Sequence, residues 1–149
     1  MDVLHHNPVM TCAEAAMARK ISIDEELKTI LLKVSYKIIS VHLRGGERIN
    51  SKTIKALFKS KHVRFLSIEE LRCFNLGKGL VNPWNISFCE YNLICTNIFE
   101  FEYMYTNNSS HNEGIRFRTQ KLLYLSNIII GDFSYEPGQN QEERHFDSR

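Results

Sequence analysis

The 149-residue chain lacks most of the features that place a protein in a specialised class. No apolar run approaches the ~20 residues that a membrane-spanning helix needs. The first residues, MDVLHHNPVMT, do not form a basic segment followed by an apolar one, so we expect no signal peptide and a cytoplasmic protein. The net charge is only +2, which means that any contact with nucleic acid must come from a local basic patch.

Motifs that commonly carry chemistry are also missing. The four cysteines show no CxxC spacing and, without an export signal, are expected to be reduced thiols. No His and Cys residues have the spacing of a structural zinc site, so no metal site is expected. The stretch GGERINSKT has no glycine directly before Lys52, as a phosphate-binding loop requires, and the chain has no G-x-S-x-G elbow.

The pattern of apolar residues and turn signals predicts one α+β domain over residues 1–135 and a polar, mobile tail over 136–149. The capping boxes TCAE and SIEE predict helices that begin after Thr11 and Ser67. Thr119 is expected to cap another helix, and Asn50 or Ser51 a helix to about residue 59. Strands are expected at residues 29–34, 38–43, 63–67, 86–96, 102–106, 114–119 and, as a buried final strand, 127–134.

Lys28 is the first candidate functional residue. It lies at the predicted junction between a helical turn near Asp24 and the apolar strand TILLKV. A lysine rooted at the edge of a core can direct its ammonium into a cleft, where desolvation strengthens its attraction for an oxyanion or a phosphate. The alternative is a lysine whose stem packs on the core while its ammonium reaches water.

The stretch GKGLVNPWN (77–85) is the second candidate, because glycine and proline exclude a regular helix or a central strand there. Gly79 and Pro83 permit a tight backbone path with a rigid exit, whose N–H groups can receive a carbonyl oxygen. Trp84 can form the wall of a pocket or stack on a base. A purely structural connector with a core tryptophan explains the same pattern. His111, in the loop TNNSSHNEG, is a further candidate for the rim of a pocket or for a solvent-facing position.

A third candidate is a group of cations that follows the Gly45-Gly46 turn. Lys52, Lys55 and Lys59 have the spacing of one helix face, Lys61 and Arg64 follow, and no acidic residue interrupts them. The pattern is typical of a surface that follows a phosphate backbone, with an affinity that falls as salt is raised. A solvated helix face is the alternative.

Taken together, these stretches resemble the YbaK/prolyl-tRNA-synthetase-associated editing domain family, the aminoacyl-tRNA deacylases. The resemblance covers roughly residues 8–135 and depends on the order and spacing of several motifs rather than on any single one. In chain order these are TCAEAA (11–16), ELKTILLK (26–33), VHLRGGERINSKTIK (41–55), VRFLSIEEL (63–71), GLVNPW (79–84), TNN (106–108) and NIIIGDFS (127–134).

The resemblance implies a mixed, partly closed β-sheet surrounded by short helices, and hydrolysis of the ester between a wrong, small amino acid and tRNA without metal or cofactor. It implies catalytic roles for Lys28, Gly79 and Pro83. The corresponding substrate pocket comprises Asn82, Trp84, Asn107, Asn108 and His111, and the tRNA-binding surface comprises Lys52, Lys55, Lys59, Lys61 and Arg64. The expected partner is the aminoacylated end of tRNA; a synthetase partner is left open.

Two positions depart from the family pattern. Ser109 stands where many relatives have a glycine, and LICTN places Thr96 or Asn97 where a strand often carries an Asp near the pocket. Losing a carboxylate there would change how the amino group of the substrate is recognised. Two alternatives to a free-standing deacylase therefore stay open. One is a non-catalytic module that binds tRNA or a synthetase; the other is an enzyme that acts on a small aminoacyl ester.

Overall fold

The computed structural model describes residues 1–138. Three α-helices span Cys12–Arg19 (α1), Ser51–Phe58 (α2) and Ile68–Cys73 (α3), and 3-10 helices span Ile23–Glu25, Thr96–Glu100 and Thr119–Tyr124. The strands are β1 (Asp2–His5), β2 (Leu27–Val34), β3 (Lys37–Arg44), β4 (Arg48–Ile49), β5 (Val63–Phe65), β6 (Tyr91–Cys95), β7 (Tyr103–Asn107), β8 (Glu113–Arg118), β9 (Ile128–Gly131) and β10 (Ser134–Tyr135).

The largest element is a five-stranded mixed sheet in the order β5-β2-β3-β6-β9. The β2–β3 hairpin and the β2–β5 pair are antiparallel, whereas β6 pairs in parallel with both β3 and β9. The strands β1-β8-β7 form a second sheet, and β10-β4 form a short third one. The predicted α+β fold with a mixed sheet and short helices is confirmed, and the five-stranded sheet is open at β5 and β9 rather than closed into a barrel.

The two faces of the five-stranded sheet carry different cores, because successive side chains of a strand point to opposite faces. Ile30 and Leu32 of β2 belong to the larger core, which includes side chains of β3 and β6. Leu31, between them, belongs to a smaller cluster with Leu71 of α3 and Val81. The stretch from α3 to residue 89 therefore covers one face of the sheet, and the glycine-rich loop is part of that cover.

Local signals account for the starts of α1 and α3, whereas the expected cap of α2 is wrong, because Asn50 precedes that helix without a side-chain cap bond. The Glu14 backbone N–H donates to Thr11 Oγ1 at 3.1 Å while the Glu14 carboxylate accepts from the Thr11 N–H, which is the predicted capping box. Ser67 and Glu70 form the same reciprocal pair at the start of α3. Because both motifs are satisfied within four residues, they determine these helix ends regardless of tertiary packing.

Several expected elements are placed differently. The run predicted as a strand over 86–96 becomes a strand only at Tyr91, because Ile86 and Cys89 pack into the smaller cluster as loop residues. The segment 127–134 forms the edge strand β9, with Ile130 46% exposed, rather than a buried strand. Thr119 begins a 3-10 helix without a side-chain cap bond. Strand β1 and the short β4 were not expected. Of the predicted tail, residues 139–149 lie outside the described residues.

The turn after β3 is packed closely against the start of the domain. A Cβ at Gly45 would lie 2.9 Å from Cys12 Cβ and 3.0 Å from the carbonyl oxygen of Ile23. We expect Gly45→Ala to lower the free energy of unfolding by about 1–3 kcal/mol, because the added methyl group overpacks this contact. Gly46→Ala is the matched control, since its nearest atom would be 3.6 Å away. Urea unfolding of both variants checks the prediction, and equal stabilities would contradict it.

A buried ion pair joins the second sheet to the rest of the domain. Arg19, at the end of α1, donates through Nη1 to both carboxylate oxygens of Glu26, and both side chains are almost completely buried. Arg19 Nε also donates to His6 Nε2 at 3.2 Å. The guanidinium lies against the backbone of β8, since a Cβ at Gly114 would be 2.4 Å from Arg19 Nε. Burial raises the pKa of Glu26 to about 7, although Arg19 acts in the opposite direction.

A second buried polar group crosses β2, β3 and β6. His42 is fully buried and its Nδ1 is 2.9 Å from Thr29 Oγ1, while its Nε2 is 2.9 Å from Ser40 Oγ. Ser40 Oγ donates to Asn92 Oδ1 at 2.6 Å, so its hydrogen is committed and His42 Nε2 must be the donor to Ser40. Because burial lowers the pKa of His42 to about 4, the ring is neutral near pH 7, and with its proton on Nε2 its Nδ1 accepts from Thr29 Oγ1.

This histidine predicts a loss of stability in acid. Between the ordinary pKa of 6.5 and about 4, the unfolded chain binds a proton at His42 that the folded protein does not, so the free energy of unfolding falls as pH is lowered. The full effect is about 3 kcal/mol. Glu26 acts in the opposite direction between pH 7 and 4.5, because the folded protein takes up its proton first. The test is therefore the difference in unfolding free energy between wild-type and His42→Gln protein, measured at several pH values. A difference that does not change between pH 7 and 4.5 would contradict the assignment.

Candidate functional site

Asparagine side chains brace the glycine-rich loop from within. Asn82 is only 4% exposed, and its Oδ1 accepts from the Trp84 N–H at 2.9 Å. The Asn82 N–H donates to Asn85 Oδ1 at 2.9 Å, and Asn85 Nδ2 donates to the Leu80 carbonyl oxygen at 2.9 Å. These bonds replace the regular backbone pairing that Gly79 and Pro83 prevent, so the loop has a defined shape.

The same loop is fastened to the turn between β7 and β8. Asn107 Nδ2 donates to the Val81 carbonyl oxygen at 2.9 Å, and Asn82 Nδ2 donates to the Asn107 carbonyl oxygen at 3.2 Å. Asn108, another expected pocket residue, instead donates through Nδ2 to Glu113 Oε1 at 3.2 Å, within its own hairpin. The structure therefore brings Asn82 and Asn107 together and turns Asn108 away from that contact.

Ser109 stands where the family pattern has a glycine, and its backbone conformation suits that position. Its φ of 59° is in the left-handed region, which glycine adopts readily and other residues seldom do. The Ser109 N–H donates to Asn107 Oδ1 at 2.9 Å. Its hydroxyl oxygen lies 3.4 Å from Asn82 Nδ2 and 3.2 Å from Asn85 Nδ2. The serine thus keeps a glycine-like backbone and adds an acceptor to the brace.

Gly79 lies where three segments of the chain meet. Its φ is +76°, and a Cβ added there would be 3.7 Å from the Met10 carbonyl oxygen and 3.9 Å from His111 Cε1. His111 in turn donates through Nδ1 to the Val9 carbonyl oxygen at 3.1 Å. The structure therefore places Gly79 and His111 side by side against the segment that leads into α1.

The aromatic side of the loop is partly open. Trp84 is 38% exposed and packs edge-on against Phe117 of β8, with ring centroids 4.9 Å apart. Pro83 is buried beside it. Proline fixes its own φ, so the chain that leads to Trp84 is rigid at this point. The exposed part of the ring is thus available for an apolar contact.

Lys28 lies within β2 rather than at the junction before it, since the strand begins at Leu27. It is only 7% exposed, and its Nζ donates to the backbone carbonyl oxygen of Glu47. Burial lowers the pKa of Lys28, and Cys12, Arg48 and Glu47 are its electrostatic neighbours. Burial also raises the pKa of the Cys12 thiol. The Lys28 side chain is therefore a desolvated amine beside the un-ionised thiol of Cys12.

The relation between Lys28 and the loop follows from strand alternation. Lys28 shares a face of β2 with Ile30, whereas the loop packs through Val81 into the cluster on the other face. The two sides approach each other around the start of the strand, where the segment Met10–Cys12 lies near Gly79 at one end and near Lys28 at the other. A ligand that touches both would have to lie across that end of the sheet.

Glu47 is a buried carboxylate that was not among the candidate residues predicted from the sequence. It is 5% exposed and accepts from Asn97 Nδ2 and from Ser134 Oγ, both at 2.8 Å. Its backbone carbonyl is the acceptor for Lys28. Asn97 is one of the two residues that could stand where the family pattern places an Asp, and here it donates to a carboxylate in the turn between β3 and β4. Sequence spacing gives no signal for this contact, because the partners are 50 residues apart.

Lys28 lines neither of two hollows in the described part of the chain. One, of about 190 Å³, is lined by Phe74, Asn75, Leu76, Gly77, Leu80, Asn85 and Ser109, along the loop and its brace. The other, of about 320 Å³, is lined by Lys33, Ser35, Lys61, His62, Val63 and Arg64.

The structure divides the expected tRNA-binding cations into two groups. Lys52 and Lys55 lie on α2, exposed and half-buried respectively, and Lys59 is the left-handed residue that ends it. Lys61 and Arg64 line the second hollow instead. Arg64 is engaged by Glu70, with nitrogen–oxygen distances of 2.7 and 3.0 Å. Its charge is therefore partly balanced.

Two absences within residues 1–138 bear on the chemistry. No group of three or more His, Cys, Asp or Glu side chains is arranged to hold a metal ion. Within the same residues, none of the helices has the length and apolar character needed to cross a bilayer.

The fold is shared with solved structures over 90% of this chain. A hypothetical protein has a TM-score of 0.81 at 21% identity over 91% of its own length. A protein described as "a putative trans-editing enzyme for prolyl tRNA synthetase" has a TM-score of 0.79 at 16% identity over 86% of its length. At these identities the likeness establishes the fold alone. A search of curated proteins found no match.

The architecture is thus that of the α+β domains to which these proteins belong. The family model described as "Aminoacyl-tRNA editing domain" matches residues 6–119, which is more than half of the chain and includes Lys28, the glycine-rich loop and the braced hairpin turn. The chain belongs to the aminoacyl-tRNA editing domain family.

Proposed function

We propose that this protein is a trans-editing deacylase, which hydrolyses the ester of a tRNA mischarged with a small amino acid without a metal ion. Membership of the editing family carries the proposal, because the matched region spans every residue assigned here to the reaction. Alanine, serine and cysteine are the candidate amino acids, since the wall formed by Pro83 and the half-open Trp84 suits a small side chain.

The chemistry requires little of the protein. An aminoacyl ester is already activated, so the enzyme must position water and stabilise the oxyanion that develops as water attacks. The rigid path around Gly79 orients the ester carbonyl, and a hydroxyl or thiol group of the substrate assists the attack. Lys28 supplies positive charge to the terminal adenosine phosphate or to the tetrahedral intermediate, with an effect strengthened by its desolvated position. Asn82 and Asn107 hold the loop in place while the substrate binds.

The test is a deacylation screen with chelator-treated protein and a panel of mischarged tRNAs. We expect release of the amino acid well above the spontaneous rate for at least one tRNA carrying alanine, serine or cysteine, and no dependence on the chelator. A panel that stays intact would exclude the enzyme, whereas activity lost with chelator and restored by a divalent ion would exclude the metal-free mechanism.

One observation favours a second candidate, a non-catalytic tRNA-binding module. Lys28 is buried, donates to the Glu47 carbonyl oxygen and lines neither described hollow. Such a module predicts tRNA binding that weakens with salt and with neutralisation of Lys52, Lys55 and Lys59, with ester hydrolysis at the spontaneous rate. The same screen, combined with a binding measurement, separates the two candidates.

A further inference from the structure

The second hollow is framed by one backbone hydrogen bond and one short contact between serine hydroxyls. It lies between the β2–β3 turn and the chain entering β5, at the far end of β2 from Lys28. The Ser35 N–H donates to the His62 carbonyl oxygen at 2.9 Å, and Ser35 Oγ is 2.7 Å from Ser60 Oγ. Ser35 has a φ of +54°. These contacts give the hollow a fixed shape.

Its lining is cationic. Lys33 and Arg64 are direct partners in the antiparallel β2–β5 register, and Lys61 joins them, with no acidic residue in the lining. Like charges directly opposite on neighbouring strands repel each other. Glu70 offsets part of this charge through its bidentate pair with Arg64. The two lysines remain as a net positive pair facing a space large enough for an anion.

We propose that this hollow binds a backbone phosphate of the acceptor arm of tRNA. Lys33 is five residues along β2 from Lys28, which corresponds to about 17 Å along the strand. The odd spacing puts its side chain on the face opposite Lys28, the face on which the glycine-rich loop packs. At ~3.4 Å per stacked nucleotide, the distance along the strand separates the ester from a phosphate about five nucleotides upstream. This spacing between the ester and the phosphate rests on the proposed function, because that function places the ester at Lys28. The hollow thus fixes how far the tRNA end reaches into the site.

The first test measures binding alone, so that it does not depend on catalysis. The probe is a fluorescent acceptor-stem RNA hairpin that ends in CCA. Its affinity for the protein is measured at KCl concentrations between 50 and 200 mM. We expect Lys33→Gln/Lys61→Gln to bind about tenfold more weakly at 50 mM salt, and to reduce the slope of log affinity against log salt by about 1.4–1.8. The matched control is Lys20→Gln/Lys121→Gln, which removes two exposed lysines elsewhere.

The second test uses turnover. With aminoacyl-tRNA, the Lys33→Gln/Lys61→Gln variant should show a raised KM and an unchanged kcat, whereas hydrolysis of aminoacyl-adenosine, which lacks the upstream phosphates, should be unaffected. If the wild-type protein hydrolyses neither substrate, the proposed function fails and the binding arm alone decides this proposal. RNA binding equal to that of the control variant would overturn it. Displacement of the RNA by inorganic phosphate, added at the same phosphate concentration as the RNA supplies, would also overturn the proposal. The hollow would then be a site for free phosphate.

Discussion

Replacing Arg19 by methionine is expected to lower the free energy of unfolding by about 3–5 kcal/mol, a large share of the ~5–15 kcal/mol that stabilises a typical domain. The substitution fills much of the volume but leaves Glu26 buried without its cation. It also removes the donor to His6 and the contact with β8, which together hold the second sheet in place. Denaturant unfolding followed by circular dichroism measures the loss.

The pH dependence of this loss tests its cause. Without Arg19, the two effects that lower the pKa of Glu26 disappear, so the pKa rises further above 7 and the folded variant retains the proton. The free energy of unfolding then falls as pH rises from the unfolded-state pKa of 4.5 to that higher value, and the loss is larger at pH 8 than at pH 6. A loss that is the same at both pH values would contradict the charge argument.

Two further variants complete the test. Arg118→Met removes an exposed pair with Glu102 and should change stability by less than about 1 kcal/mol. Arg19→Met/Glu26→Leu removes both buried charges and should recover most of the stability, because a buried ion pair is often no better than apolar groups of similar volume. If the double variant is as unstable as Arg19→Met, the packing of Arg19 on β8 rather than its charge holds the sheets together.

Replacing Lys28 by methionine is expected to lower kcat for deacylation about 100-fold to 1000-fold, the range found when one preorganised group that stabilises an oxyanion is removed. The folded protein should survive, because methionine fills the same space and burying an ammonium is itself costly. Single-turnover hydrolysis of a mischarged tRNA and thermal unfolding of the same sample measure the two quantities.

The control is Lys37→Met, which removes an exposed lysine from the neighbouring strand. The cationic role also predicts a pH profile. Burial lowers the pKa of Lys28 below 10.5, the ordinary lysine value. The ammonium therefore loses its proton before the pH reaches 10.5, and wild-type kcat should fall over that range as the pH rises. In Lys28→Arg this alkaline fall should be absent, since arginine keeps its charge. Unchanged kcat in Lys28→Met would remove Lys28 from the mechanism and favour the binding module.

The sequence predicted those parts of the fold that depend on neighbours in the chain. The capping boxes at Thr11 and Ser67 are complete within four residues, and the apolar runs 29–34 and 38–43 were expected as strands, which pair as the β2–β3 hairpin. Strand β1 was missed because its partner is β8, more than 100 residues away. The run from Ile86 was given too long a strand, because apolar residues pack equally well as a loop over a sheet face.

The candidate site divides in the same way. Asn82 in the loop and Asn107 at the hairpin turn, both predicted from the sequence, lie together. They are held by side-chain hydrogen bonds between residues about 25 positions apart, which the sequence does not reveal. The carboxylate of Glu47 beside Asn97 was not foreseen for the same reason. Alternation along β2 placed Lys28 on the face opposite the loop contacts, and the path of residues 10–12 connects the two.

The walls around Gly79 come from residues 9–12, from the loop itself and from residues 107–111, and the first strand finds its only described partner in β8. During synthesis, a growing chain therefore has no assembled walls until the last of these hairpin residues has left the ribosome. On the proposed function, a partly made chain would therefore hydrolyse no ester, and the appearance of activity would mark the closing of contacts between distant parts of the polypeptide.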